Sequence, residues 1–405
     1  MQIKPILAAL RRHRLATLLI AVEIALACAV LCNACFLVAQ RWKMIHLNSG
    51  VDESSLAVLV VNGFEPNQAA DVNARMLAGL QAIPGVQSAT LINQVPFGPQ
   101  AGAAGVSHDP NSSRNMIGVV DFVLGGPGTF KALGLKLVAG RLPQPDDYQP
   151  TVTFVPNDAR VLVTRALAEH AWPGENPLGK DFWCDNLHFR VIGVMDRLAR
   201  AQPHQYAMSQ AEWTVFTPTV PGGLFSGTYL LRARPQDVQR VLRDARAAVA
   251  KIAPDVVLDQ EDSQTLSDLR AGYFKTDRIM IGMLLGVVAL MLGVTALGIV
   301  GLTSFWVAQR RRQIGIRRAI GATRGDILRY FQTENFLIVT LGIVLGIILA
   351  IGINIALMKF FEVPRLPLWY LPIGVVALWL LGQLAVLVPA LRAAAVPPVV
   401  ATRSV

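Results

Sequence analysis

The sequence predicts an integral membrane α-helical protein with four transmembrane helices and a large extracytoplasmic α/β domain of βαβ-type units carrying an inserted subdomain. Three observations carry this reading. Four runs stay apolar for about 20 residues or more, the length a helix needs to cross a hydrocarbon core of about 30 Å. Only 16% of the 405 residues are charged while 53% are hydrophobic, whereas a soluble domain carries roughly 25% charged residues. Between the first two apolar runs, strand-like and helix-like patterns alternate between Pro and Gly breaks.

The runs divide the chain in order. Residues 1–14 are a cytoplasmic N-terminus, and 15–39 the first transmembrane helix, too long for the apolar core of a signal peptide and therefore an uncleaved anchor. Residues 40–278 form the outer domain, with about 96–221 as its inserted subdomain. Spans follow at 279–307, 336–358 and 368–391, joined by a cytoplasmic loop at 308–335 and a short outer loop at 359–367, and the chain ends in a cytoplasmic tail, 392–405. Orientation follows from basic residues. Lys4, Arg11, Arg12 and Arg14 precede the first span, Arg310, Arg311, Arg312, Arg317, Arg318, Arg324 and Arg329 crowd the loop after the second, and Arg392 and Arg403 follow the fourth.

Residues 41–275 hold 21 Lys or Arg against 22 Asp or Glu, so the chain's net charge of +10 resides at its cytoplasmic edges. Anionic lipid attracts basic residues there by about 1 kcal/mol each, and no nucleic acid partner is needed to explain them.

Within the outer stretch, Leu56 to Val61 reads as a strand, Asn67 to Ile83 as a helix and Val86 to Ile92 as a strand. A second unit repeats this at Thr228 to Ala233, Pro235 to Ile252 and Val256 to Asp259. Such paired units build a split βαβ sandwich. The intervening part has its own strands at Val161 to Thr164 and Phe189 to Met195.

Catalytic and metal chemistry find little support. "GENPLGK", Gly174 to Lys180, has the spacing of a phosphate loop, but Asp181 stands where a Ser or Thr hydroxyl is required and the preceding residues read as a helix. Cys184, Asp185 and His188 are close in sequence without an evident base or pocket. Cys28, Cys32 and Cys35 share a helical face in the first span and read as packing residues; no metal site is expected. Glu23, an acid within the first span, is costly there and reads as protonated or hydrogen-bonded at a helix contact. Gly282 with Gly286, and Gly342 with Gly346, have the spacing that lets membrane helices approach closely.

The most informative stretch is "RRRQIGIRRAIGATRGDILRYFQTEN", Arg310 to Asn335. Ile314, Ile316, Ala319, Ile320 and Ile327 interleave with arginines, predicting a helix at the membrane surface that offers a face to a partner, interrupted at Gly315, Gly321 and Gly325. Charge alone would satisfy orientation and does not require this apolar pattern.

Here a resemblance enters. "QIGIRRAIGATRGDIL" resembles the cytoplasmic signature of FtsX-like permeases of the macrolide-exporter (MacB) type, commonly R-E-I-G-I-R-R-A-L-G-A-T. The segments "FKALGLKLVAGR", "AWPGENPLGK" and "FRVIGVM" and the ending "PALRAAAVPPVVATR" are similar to that family as well, so the likeness covers nearly the whole chain. Gln313 departs from the usual glutamate, which alters any ion pair made there.

The resemblance implies a non-catalytic permease subunit of an ABC transporter in a bacterial inner (cytoplasmic) membrane, its large domain a MacB-like periplasmic core. It binds no cofactor itself; ATP and Mg reside in a separate cytoplasmic ATPase dimer. Coupling falls to Arg312, Gln313, Ile314, Gly315, Ile316, Arg317, Arg318, Ala319, Ile320, Gly321, Ala322 and Thr323. Further implied partners are a second permease copy or paralogue, membrane lipid and a periplasmic adaptor, with mechanotransmission for export or envelope work as the mechanism. Two other classes are weighed: an ion-coupled secondary transporter using Glu23, which lacks the broken, repeated helices of that class, and a membrane-anchored periplasmic sensor or signalling protein, which leaves the three C-terminal spans unexplained.

Overall fold

The computed structural model describes residues 14–110, 115–151, 155–361 and 365–395. Lys4, Arg11, Arg12 and Arg403 lie outside the described residues, as do most of the predicted N-terminal segment and C-terminal tail. In chain order the elements are α1 (Arg14–Ile45), β1 (Leu56–Asn62), α2 (Ala69–Gln81), β2 (Ser88–Leu91), β3 (Ala103–Ser107), β4 (Met116–Gly125), α3 (Thr129–Leu133), β5 (Leu137–Gly140), β6 (Ala159–Thr164), α4 (Arg165–Ala171), β7 (Asp181–Cys184), β8 (Leu187–Met195), β9 (Thr214–Pro218), β10 (Thr228–Arg232), α5 (Val238–Ile252), β11 (Val257–Asp259), α6 (Leu266–Tyr273), α7 (Lys275–Gln309), α8 (Arg311–Ala319), α9 (Arg324–Phe361) and α10 (Tyr370–Ala394). They divide into two compact units, one from Met44 to Thr276 and one of the long helices before and after it.

The first unit is an α/β domain of two sheets. One is four-stranded and antiparallel, in the order β11-β1-β10-β2. Helix α2 links β1 to β2 and α5 links β10 to β11, so each βαβ unit has a strand of the other inserted between its own two strands. Helical periodicity decides which helix faces are buried: Val72, Met76 and Leu80 of α2 and Val241, Leu242, Ala245 and Val249 of α5 join Leu59, Val61, Tyr229 and Leu231 in one core. The alternate strand residues Leu56, Val58 and Leu230 turn to the opposite face, where they meet Phe130, Leu133 and Leu266. Tyr229 donates to Asn73 Oδ1 at 2.8 Å, which satisfies a hydroxyl otherwise stranded in the core.

All of β3 to β9 is inserted between β2 and β10. These strands run in the order β5-β8-β6-β9-β4-β3-β7, and β7 pairs again with β8, so six strands close into a ring with β5 attached outside it. The closure between β3 and β7 is a single pair, Ser107 with Trp183. Phe182 stacks on Phe189 at 5.2 Å, and Phe122 meets Phe189 at the same distance.

A buried acid pins the strand edges of this ring. Asp147 is fully buried and accepts from Arg141 at 2.9 Å, Arg160 at 3.0 Å and the Gln144 amide at 2.7 Å. The Arg141 guanidinium above all holds its carboxyl well below the usual carboxylate range. Its stabilisation is therefore present above the unfolded carboxylate value of about 4 and is lost as pH falls through the lower folded value. Denaturation followed between pH 2 and 6 is expected to show a steeper acid limb for the native chain than for Asp147→Asn; equal slopes would remove Asp147 from the account.

The second unit contains helices long and apolar enough to cross a membrane, four in number among the described residues, and the short basic helix α8. The third span, predicted at 336–358, belongs to a helix that begins at Arg324, so part of the helix predicted within Arg310 to Asn335 is continuous with the span. Thr323 caps that start: the Asp326 amide donates to Thr323 Oγ1 at 3.2 Å while the Thr323 amide donates to Asp326 Oδ2 at 3.0 Å. No proline follows within the helix.

Candidate functional site

The candidate coupling element lies between α7 and α9. At Arg310 the backbone leaves helical geometry (φ −98°, ψ 10°) and α8 begins at once, its first bond running from the Ile314 amide to the Arg310 carbonyl at 3.0 Å. Arg310 fixes this corner. Its guanidinium donates to both carboxylate oxygens of Glu334 at 3.0 and 3.1 Å, and Glu334 is only 1% exposed. The Arg317 guanidinium sits 5.0 Å from the Tyr330 ring, and Arg318 donates to the Ala394 carbonyl at 3.2 Å, near the electronegative C-terminal end of α10.

The element ends at Gly321, whose φ of +106° needs glycine; there the Gly321 amide bonds the Arg318 carbonyl and the Ala322 amide bonds the Arg317 carbonyl. Only this glycine breaks the helix. Gly315 lies inside α8 and Gly325 inside α9, so the predicted interruptions at those two positions are absent.

Burial sorts the predicted coupling residues into two sets. Ile314 and Gly315 are buried, and Ile314 joins Ile327 and Phe331 in the helical core. They hold the element in place instead of offering it to a partner. Arg312, Gln313, Arg317 and Ala319 are exposed, with Ile316 at 45% and Ile320 at 82%. Beside Ile320 a cleft of about 350 Å³ is lined by Arg317, Ile320, Ala322, Asp326, Ile327 and Tyr330. An apolar floor with cationic, anionic and phenolic edges suits a protein side chain, since a small apolar knob fills the floor while the rim reads its flanking charges.

The two glycine pairs, alike in sequence, differ in space. Cβ atoms built at Gly342 and Gly346 fall 2.7 Å from Ile24 Cβ and 2.5 Å from Cys28 Cβ, so α9 and α1 touch there. A Cβ built at Gly282 or Gly286 meets nothing within 4 Å outside the local helix, so the expected helix contact is not made among the described residues. Glu23 of α1 faces Gly298 of α7, where its carboxyl occupies the space a Cβ would need; Oε1 accepts no hydrogen bond among the described residues.

In the domain, Gly174 to Lys180 forms a turn, with Lys180 paired to Glu175 at 2.6 Å and the Gly179 amide bonded to the Val191 carbonyl. Cys184 is buried and its thiol pushed up by that burial, away from the reactive thiolate. His188 turns instead to Asp158 and Asp181, at 2.5 and 3.1 Å.

Four helices long enough to cross a membrane, one before and three after the α/β domain in the chain, with a short basic helix between the second and third, define a multi-pass membrane protein. Residues 43–260 match the family described as MacB-like periplasmic core domain, more than half of the chain, and 285–398 match the FtsX-like permease C-terminal family. The chain belongs to the ABC transporter permeases of the MacB/FtsX type. It is similar to an uncharacterised ABC transporter permease, YknZ, of Bacillus subtilis (strain 168), 23% identical over 84% of this chain and 81% of that one. It is also similar to the macrolide export ATP-binding/permease protein MacB of Rhodospirillum rubrum, 30% identical over 59% of this chain and 37% of the relative, and of Marinobacter nauticus, 27% identical over 48% and 30%. The match thus spans about a third of the length of these two MacB proteins. Among solved structures, the periplasmic region of MacB from Actinobacillus actinomycetemcomitans aligns over 53% of this chain and 93% of its own, at 16% identity and a TM-score of 0.34.

Proposed function

We propose that the chain is the permease subunit of a transporter whose ATP hydrolysis resides in a separate polypeptide, and that it converts the closing of that ATPase dimer into movement of its outer domain. The observation that carries this reading is the construction of α8. Its inner residues and Arg310 anchor it to the helical unit, while Ile316 and Ile320 stand exposed beside a lined cleft. A helix that served only to orient the chain would need neither the buried anchor nor the apolar outer face.

In this reading α8, the termini and Arg312 to Thr323 face the cytoplasm of a bacterial inner membrane, and residues 44–276 are periplasmic. The ATPase pair, holding ATP and Mg, grips α8. Displacement then passes along α1 and α7, the two helices that continue into the domain, and a second permease copy or paralogue completes the other half. A periplasmic adaptor or the cargo meets the domain, and the work is export or action on the envelope.

The test is affinity purification of the tagged chain in mild detergent, with partners identified by mass spectrometry. An ATPase is expected with the unaltered chain and about tenfold less of it with Ile316→Asp and Ile320→Asp together, since a charge placed in an apolar contact costs more than the 1.4 kcal/mol that tenfold represents. Equal recovery with a folded variant would place the contact elsewhere; recovery of no ATPase at all would end the reading.

A further inference from the structure

The domain is joined to the long helices at two places only, by the segment entering after Lys43 and by the segment leaving before Asp277. Any displacement transmitted through the chain must cross these two segments. Within the domain Arg270 of α6 bonds three residues of the entering segment at once.

Arg270 Nη2 donates to the carbonyls of Ile45 at 2.7 Å and Leu47 at 2.6 Å, and Nη1 donates to Glu53 Oε1 at 2.6 Å. Ile45 is the last residue of α1, so the guanidinium satisfies a carbonyl that a helix end leaves without an internal partner. The aromatic rings of Phe97 and Phe274 lie 4.9 and 5.6 Å from the same guanidinium. Phe97 holds this place with a φ of +66°, a left-handed conformation rare for a bulky residue, which the surrounding structure must enforce.

The grip extends to both sides. Ser49 donates to the Glu53 carboxylate, and Ser267 at the start of α6 donates to the Glu53 carbonyl at 3.4 Å. Asp52, next in the entering segment, receives Arg232 of β10 at 2.7 Å, which ties that segment to the sheet. In the helical unit the same two helices are tied again, by Arg41 of α1 and the buried Asp277 of α7.

We propose that Arg270 is the positioning residue that makes the entering and leaving segments one rigid support, so that displacement of α1 and α7 turns the domain as a body instead of being absorbed by slack in either segment. A planar fork with several donors is what the site requires, because one cation must reach two carbonyls and a carboxylate at once; lysine, a point charge on a flexible stem, cannot reproduce it. The inference rests on the proposed ATP-driven movement and names the element that transmits it.

The experiment uses the full chain with its ATPase partner in lipid nanodiscs and reads two quantities, ATP hydrolysis and the ATP-dependent change in amide hydrogen exchange of the domain. Arg270→Gln is expected to leave hydrolysis within about twofold and to reduce the exchange response at least about tenfold, since tenfold already corresponds to losing about one charge-assisted hydrogen bond. Arg270→Lys is expected to recover part of the response. A full response in Arg270→Gln overturns the inference.

Where ATP-free protection of β1 and β10 shows that Arg270→Gln has not folded, Glu53→Gln serves instead. It is expected to weaken the response about threefold through loss of a single charged partner, and an unchanged response there overturns the inference as well. Absence of any ATP-dependent response in the unaltered chain strikes the proposed function itself, an outcome distinct from a response that survives the substitution.

Discussion

Replacing Asp121 with alanine is expected to destabilise the extramembrane domain by about 3–5 kcal/mol, the usual cost of removing one partner from a buried ion pair. Asp121 and Arg200 are both 0% exposed. Arg200 donates to Asp121 Oδ1 through Nε at 2.9 Å, with Nη2 at 2.8 Å from the same oxygen, and the Ala201 amide donates to Oδ2 at 3.0 Å. Gln100 adds a bond at 3.2 Å, and the Tyr206 ring lies 3.3 Å from the guanidinium carbon. Truncating Asp121 strands a charged group and a backbone amide in the core together.

The loss is large against the total of about 5–15 kcal/mol that holds a typical domain. Thermal unfolding of the purified chain, followed by tryptophan fluorescence, measures it. The double change Asp121→Leu with Arg200→Met is expected to cost less than Asp121→Ala alone, because it leaves no buried charge unpaired. A single-variant cost below about 1 kcal/mol would show that water reaches Arg200 once its partner is gone.

How much of this was legible in the sequence depends on how far apart the deciding residues lie. The apolar runs and the split βαβ pattern are local signals: the strand at 56–62 shows itself in its valines, and that at 228–232 in a short apolar and aromatic run. The closed ring is not local. Its last contact is one pair, Ser107 with Trp183, and β8 has neighbours on both sides, which no periodicity within β8 announces.

The same holds for the candidate sites. The motif around Ile316 is contiguous and could be read, but Ile314 and Ile316 look equivalent until the surrounding helices bury one and leave the other exposed. Arg270 carried no sequence signal at all. It is one arginine among many, and its partners Ile45, Leu47 and Glu53 are more than 200 positions away. In the sequence Arg310 is one of a run of positive charges, whereas its bond to Glu334 makes it the anchor of the element.

The glycine pairs test that distinction most sharply. Gly346→Ile is expected to disrupt the packing of α9 on α1 and cost about 1–3 kcal/mol or more, the range for forcing atoms into a filled core. Even the first added carbon would lie 2.5 Å from Cys28 Cβ and 2.9 Å from the Ala25 carbonyl oxygen, and 3.1 Å from Ala25 Cα. Backbone atoms cannot rotate away, so the helices must separate. Separation also strains the Asn33 side chain, which donates to the Ala350 carbonyl across the same seam at 3.1 Å. Losing that bond leaves the Asn33 amide only its bond to the Ala29 carbonyl of its own helix, at 3.0 Å.

Gly286→Ile, at a position with no described neighbour within 4 Å, is expected to leave the fold of the chain unchanged. The comparison is made by heating both variants in the same detergent and recording the temperature at which half the monodisperse protein is lost. A lower midpoint for Gly346→Ile alone is the expected result, and pairing Gly346→Ala with Cys28→Gly should recover part of the loss suffered by Gly346→Ala, since it removes the nearest opposing carbon. Equal midpoints for the two isoleucine variants would mean that the α1–α9 seam does not hold the helical unit together.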